Sequence, residues 1–237
     1  MANEEATLEE FVRQVLVHSA ASRRVTFFAV VDLVSEDRTQ SLLEGIAASE
    51  ARVRVVWAPE NRCLVDAYVR GYRAALEAGC DWILEIDAGF SHQPEQIPRF
   101  LEQIPKGFDC IFGSRFCPGG RMEGGSLKRY FISRGGTVVS NLVLGTRLHD
   151  MTSGFQLFSR EVLELLLRRG IRSRAHFFQT EMKAYCHDFH VVEVPITYRA
   201  PSPRLRRSAL TDALRQLWAL FVLRLKGRLR IPQQATP

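Results

Sequence analysis

Short, continuous apolar runs alternate with amphipathic helical patterns through most of this chain, and that alternation restricts its fold more than any other feature. Val25-Thr26-Phe27-Phe28-Ala29-Val30-Val31 is rich in β-formers and lacks polar alternate positions, which suits a strand covered on both faces within a parallel sheet. Further runs lie at 53–58, 82–86, 109–113 and 191–198, with a short one at 157–158. Apolar residues at helical spacing predict helices over 8–19, 39–48, 65–78, 94–103, 127–144, 160–169, 178–186 and 210–229. Thr7-Leu8-Glu9-Glu10 has the form of a capping box for the first. Strands alternating with helices predict an α/β fold with a doubly wound, mostly parallel sheet. At 237 residues and 46% apolar composition the chain can bury a substantial core as one domain.

The net charge of +6 is unevenly spread. Between Arg199 and Arg230 nine Lys or Arg stand against the single acid Asp212, a local +8, which leaves −2 for the rest. A mildly acidic body with a basic tail implies a polyanionic partner for that tail. No nucleic-acid motif accompanies these residues, so the expectation is anionic lipid and no nucleic acid. Leu210, Leu214, Leu217, Trp218, Phe221 and Leu225 form an apolar stripe, with Arg215, Arg224, Lys226 and Arg228 available to flank it, the pattern of a helix lying among lipid head groups. The longest apolar run near the C-terminus, Leu217 to Leu223, is well short of the ~20 residues a spanning helix needs. Met1-Ala2-Asn3-Glu4-Glu5 is acidic and polar, so no signal peptide is expected from these residues. Five cysteines, odd in number and without CxxC spacing, read as thiols of a reducing compartment.

Trp82 to Ile86 delivers Asp87 to an Ala88-Gly89 turn, which is how a doubly wound sheet presents a carboxylate to its ligand crevice. Gly113-Ser114-Arg115 ends another strand. Arg129 and Ser133 follow four residues apart, on one helical face, with donors suited to phosphate oxygens.

Taken with Glu60-Asn61-Arg62, Asp150-Met151-Thr152-Ser153-Gly154-Phe155, Phe178-Gln179-Thr180-Glu181 and Glu193-Val194-Pro195-Ile196, these motifs resemble the family 2 glycosyltransferases. Within that family they resemble the polyprenyl-phosphate sugar transferases of the dolichyl-phosphate mannose synthase type. The resemblance implies a GT-A-like, Rossmann-like nucleotide-binding core over residues 1–200, followed by a basic amphipathic helix and tail over 201–237. It implies transfer of one sugar, with inversion, from a GDP- or UDP-linked nucleotide sugar to a polyprenyl phosphate, on the cytoplasmic face of a membrane.

The residue roles follow from the same resemblance. Asp87 stands at the first position of the family's Asp-x-Asp, whose carboxylates hold Mg²⁺ or Mn²⁺ on the donor diphosphate; Gly89 stands at the second. Asp32, in Asp32-Leu33-Val34-Ser35-Glu36-Asp37-Arg38-Thr39, and Glu4 join Asp87 and Arg115 on the nucleotide sugar. Arg115, Arg129 and Ser133 hold the acceptor phosphate. The family's opening strand and Pro-x-Tyr are not in this sequence before Asn3-Glu4, and a central strand is expected to precede Met1. Two alternatives remain open from the residues themselves. One is a hydroxyl acceptor, with Asp150 or Glu181 as base, and the other is a nucleotide-binding adaptor whose basic helix meets a membrane or partner.

Overall fold

The computed structural model describes residues 1–124, 127–199 and 207–231 of the chain, with side chains of the last segment from Leu210 onward. Arg204 and Arg206, counted in the basic tail above, lie outside the described residues. Among the described residues, eight strands alternate with eight α-helices. The strands are β1 (Phe27–Val31), β2 (Val53–Trp57), β3 (Trp82–Glu85), β4 (Cys110–Ser114), β5 (Arg121–Glu123), β6 (Gln156–Ser159), β7 (Val191–Pro195) and β8 (Thr197–Arg199). The helices are α1 (Leu8–His18), α2 (Thr39–Ser49), α3 (Leu64–Glu77), α4 (Ile97–Leu101), α5 (Leu127–Leu144), α6 (Arg160–Arg169), α7 (Phe178–Tyr185) and α8 (Arg207–Leu225).

The sheet is mixed. β1 pairs with β2, β4 with β7 and β5 with β8 in parallel, whereas β6 lies antiparallel between β3 and β4. The antiparallel insertion has a local cause. The Arg115 amide, just past β4, donates to Asp150 at 3.0 Å, so the 150–155 loop begins at the C-terminal end of β4 and the chain re-enters the sheet running the other way, with Gln156 opposite Phe112.

Alternation along β4 divides the core. Cys110 and Phe112 face a cluster built from Tyr72 and Ala75 of α3, Leu163 and Leu166 of α6, Met182 of α7 and Leu220 of α8. Ile111 faces the opposite cluster, with Phe11 and Val15 of α1 and Ile97 and Phe100 of α4. Helices on both faces give the doubly wound arrangement. The first helix buries Leu8, Phe11, Val12, Val15 and Leu16 as their spacing predicts. Its capping box does not form: Thr7 makes no side-chain cap, and Glu10 accepts from Arg13 and Gln14 one turn on.

Among the described residues nothing forms a ladder with the second edge of β1 or of β3. Met1 packs against the clusters beside both strands, and its buried ammonium donates to the Val30 carbonyl. Residues 3–5 are stitched to the loop after β1: Glu36 donates to Asn3, Glu4 to Thr39 at 2.8 Å, and Glu5 to Asp37 at 3.0 Å.

Gly113, near the end of β4, has no room for a side chain: a Cβ there would lie 2.9 Å from Ile196, 3.0 Å from Phe100 and 3.0 Å from the Phe155 carbonyl. Gly113→Ala is expected to cost about 1–3 kcal/mol of stability, read from the urea midpoint at unchanged m-value.

Candidate active site

The C-terminal ends of β3 and β4 carry the chemistry. Asp87 leaves β3 through a turn in which Gly89 and Phe90 both have positive φ, +71° and 58°. An aromatic residue in the left-handed region is strained, and such strain is tolerated where neighbours fix the backbone, commonly at ligand sites. One Asp87 oxygen accepts from the buried Tyr68 hydroxyl at 2.6 Å. The other is 3.6 Å from Nδ1 of His92, which accepts from the Asp87 amide. Burial pushes the His92 imidazolium down against the pull of Asp87, so the ring is neutral at pH 7.

From His92 a stack of rings and cations leads to the predicted phosphate-binding residues. The His92 and Tyr198 ring centroids are 5.2 Å apart. Arg115 and Arg129 each lie over the Tyr198 ring, at 5.4 and 5.6 Å, and Arg129 donates to the Tyr198 hydroxyl at 3.0 Å. Ser133 is one turn farther along α5. Asp87, Arg115 and Arg129 are thus joined through two side chains, His92 and Tyr198. His92 was legible in sequence only as a neighbour of Asp87, and Tyr198 carried no signal beyond its place at the end of a strand.

Arg115, expected on the donor and acceptor phosphates, is paired with a carboxylate in this structure. Its Nε and one terminal nitrogen hold Asp150 at 2.7 and 2.8 Å, both side chains are buried, and it also donates to Thr152. Burial alone would push the Asp150 carboxyl up; the Arg115 guanidinium and Lys183 outweigh it and hold the carboxyl below its usual range. The Lys183 ammonium, also buried, donates to the carbonyls of Asp150 and Ser153 at 2.7 and 2.9 Å. Neither base suggested for a hydroxyl acceptor is available. Asp150 is committed to Arg115, and buried Glu181 accepts from the amides of Arg172 and Ser173 and the hydroxyls of Ser173 and Tyr185.

The other two predicted residues, Asp32 and Glu4, lie with Asp87 near the Met1 ammonium. Asp32 accepts from Asn61 at 3.0 Å and from the Val34 amide. Asp32, Glu4 and Asp87 all act electrostatically on the Met1 ammonium, whose proton affinity burial pushes down. A Cβ at Gly89 would come within 2.6 Å of a Glu4 carboxylate oxygen, so Glu4 occupies the space beside the position that lacks a carboxylate. Asp87 and Glu4 are hard oxygen donors, which fit a divalent cation that draws its remaining ligands from phosphates and water. Among the described residues no group of three or more His, Cys, Asp or Glu forms a cage for a metal by itself.

Sequence reasoning passed over Glu85, although it precedes Asp87 by two residues. It is buried and accepts from Tyr72 and Gln179. Burial pushes its carboxyl up to about 8 despite those donors, so it is protonated at neutral pH.

A profile of glycosyl transferase family 2 matches residues 1–167. The chain belongs to this family. Over 172 residues, 71% of this chain, it is 35% identical to the polyprenol monophosphomannose synthase of Mycolicibacterium smegmatis, and the match spans 65% of that relative's length. It is 36% identical over 171 residues, 71% of this chain and 70% of the relative, to the undecaprenyl-phosphate mannosyltransferase of Micrococcus luteus. Among solved structures, the glucosyl-3-phosphoglycerate synthase of Mycobacterium tuberculosis, in complex with Mn²⁺, UDP and phosphoglyceric acid, superposes with a TM-score of 0.63 at 20% identity. That match covers 99% of this chain and 78% of the other. The shared fold is therefore that of the GT-A glycosyltransferases.

Two substitutions test the buried polar groups. Asp150→Asn leaves the Arg115 charge without its counter-ion and is expected to cost about 3–5 kcal/mol, measured by denaturant unfolding. For Glu85 the folded state holds a proton that the unfolded chain releases above its ordinary value of 4.5. Its stabilising contribution is complete below that value and is lost as pH rises to about 8. Urea unfolding from about pH 4 to about pH 9, which brackets that window, is expected to show wild type losing stability relative to Glu85→Gln, which keeps a neutral side chain throughout.

Proposed function

We propose that the chain is an inverting glycosyltransferase that moves one sugar from a nucleotide-sugar donor to a polyprenyl phosphate at a membrane surface. The observation that carries this reading is the relay of contacts that links Arg129, through Tyr198 and His92, to the carboxylate of Asp87 at the sheet edge. A cationic phosphate site and a donor-diphosphate site then adjoin. The acceptor phosphate rests on Arg129 and Ser133. Arg115, occupied by Asp150, positions the Tyr198 ring and the 150–155 loop around it.

A phosphate monoester is ionised near pH 7, so its oxygen attacks the anomeric carbon without a general base. The new carbon–oxygen bond forms as the bond to the nucleoside diphosphate breaks on the opposite face, which inverts the anomeric centre. The protein contributes alignment and charge stabilisation. Asp87 and Glu4 would hold Mg²⁺ or Mn²⁺, which when bound offsets charge on the departing diphosphate. Asp32 and Glu4 face the nucleoside side of this site. Mannose, named for both relatives, is the first sugar to test, with GDP- and UDP-linked donors compared.

The last helix supports the membrane part of the reading. Leu210, Leu214, Trp218 and Leu225 are exposed on α8, whereas Leu217 turns inward and packs on the core. No helix among the described residues is long and apolar enough to cross a membrane. Docking on the cytoplasmic face places α8 among anionic head groups. The hydroxyl-acceptor reading is weaker because it needs a base, and both candidates serve as structural acceptors.

Incubation with radiolabelled GDP-mannose, UDP-glucose and related donors, polyprenyl phosphate in liposomes, and Mn²⁺ or EDTA is expected to give lipid-extractable label. Arg129→Ala and Asp87→Ala should each reduce it by about 100-fold or more, and EDTA should do the same. Absence of label with every donor, despite nucleotide binding, would overturn the assignment.

A further inference from the structure

The chain beyond α8 completes a cluster of arginines that the catalytic reading does not use. Arg169 at the end of α6, Arg172 in the loop before α7, and Arg228 and Arg230 after α8 line one cleft of about 480 Å³, with Tyr185 and Leu223 in its walls. That volume is in the range of small-molecule sites. The cleft lies at the opposite end of the sheet from Asp87. Asp188, which pairs with Arg230, stands just before β7, and β7 begins opposite Cys110 at the start of β4, whereas Arg115 follows the end of β4.

These cations come from separate stretches of chain and are held together against their mutual repulsion. The Arg169 guanidinium lies over the Tyr185 ring, 4.3 Å from its centroid, and donates to the Arg228 carbonyl, which ties the end of α6 to the segment after α8. Its Nε is buried and has no hydrogen-bond partner among the described residues, so a donor is withdrawn from water without an acceptor. Among the described residues Arg230 alone of the four has a carboxylate partner, Asp188 at 2.9 Å. Arg172 and Arg228 are exposed. The positive field reaches past the cleft: burial first, and then Arg230, Arg147 and Arg224, lower the proton affinity of His187.

Charge and shape identify the ligand. Four guanidiniums face Asp188 and, behind the Arg172 amide, Glu181, which leaves a formal +2. Guanidinium forks match phosphate oxygens. A phosphodiester head group is singly charged and lies on a flat surface, whereas a diphosphate is multiply charged and compact enough for a concave site. We propose that this cleft is a second anion site, separate from the catalytic one, which takes a soluble diphosphate-bearing ligand on Arg172 and Arg228, with Arg169 behind them. The proposal does not depend on the sugar-transfer reading. It does give the ligand a route to the active site. The amides of Arg172 and Ser173 hold Glu181 of α7, and the same helix carries Lys183, which braces the 150–155 loop.

Isothermal titration with inorganic pyrophosphate tests the site, in EDTA so that no divalent cation draws the anion to Asp87. Wild type is expected to bind, and Arg172→Ala/Arg228→Ala to bind at least about tenfold more weakly. Arg129→Ala, which removes the cation assigned to the acceptor phosphate, should bind as wild type does. Pyrophosphate should raise the urea midpoint of wild type and not that of the double variant, whose midpoint without ligand also reports whether it folds. A second measurement needs no substitution: pyrophosphate should protect Arg172 and Arg228 of wild type from phenylglyoxal, read by peptide mass. Unchanged affinity in the double variant, or unprotected Arg172 and Arg228, would overturn the site. Equal protection by chloride at the same ionic strength would overturn it in favour of unselective ion pairing. Flotation with phosphatidylglycerol vesicles that the double variant loses, without binding of free pyrophosphate, would overturn it in favour of a lipid head group.

Discussion

The site is organised around one buried ion pair. Arg115 grips Asp150 through two donors, while its own backbone amide holds the same carboxylate. A charge pair removed from water is costly unless its remaining valences are filled. Here they are: Asp150 also accepts from the amides of Thr152 and Ser153, and Lys183 takes up the carbonyls of the same loop. The pair fixes the end of β4 to the 150–155 loop, and Lys183 fixes that loop to α7. The direction of β6 follows, as does the position of Tyr198, whose ring lies against Arg115.

That arrangement explains which parts of the molecule sequence could reveal. Apolar periodicity located the helices and most strands because burial imposes it: α5 and α6 fall on the residues their spacing indicated, and β4 alternates between two clusters as a covered strand must. The antiparallel sense of β6 was not legible, since a short strand buried on both faces looks alike in either direction. It is set by a contact 35 positions apart, between Arg115 and Asp150, which local pattern does not contain. The capping box failed for a related reason. Glu10 had a nearer competitor in Arg13 and Gln14 on its own helix, and the Thr7 hydroxyl forms no cap.

At the site the motifs located the charged groups but not the neutral ones that connect them. Asp87, Arg115 and Arg129 stood out because they stand at positions of the motifs that carry the family resemblance. Tyr68, His92 and Tyr198 are ordinary core residues by composition, and their role appears only when rings are seen between the charges. Glu85 was hidden by its neighbour, for in a strand the position two before a functional carboxylate shares its face. Its protonation keeps a second negative charge away from Asp87.

The same neutrality bears on the choice of acceptor. A hydroxyl acceptor requires a general base that is exposed to the pocket and free to take a proton. Asp150 is ionised but enclosed by Arg115, Glu181 is saturated by four donors, and Glu85 already carries a proton at neutral pH. Asp87 and Glu4 are the carboxylates the proposal assigns to the donor side. What the protein offers near the acceptor side is cationic: Arg129, steadied by Tyr198, with Ser133 a turn away. A nucleophile that arrives already charged and is steered by cations needs no base, and a phosphate monoester meets that condition where an alcohol does not.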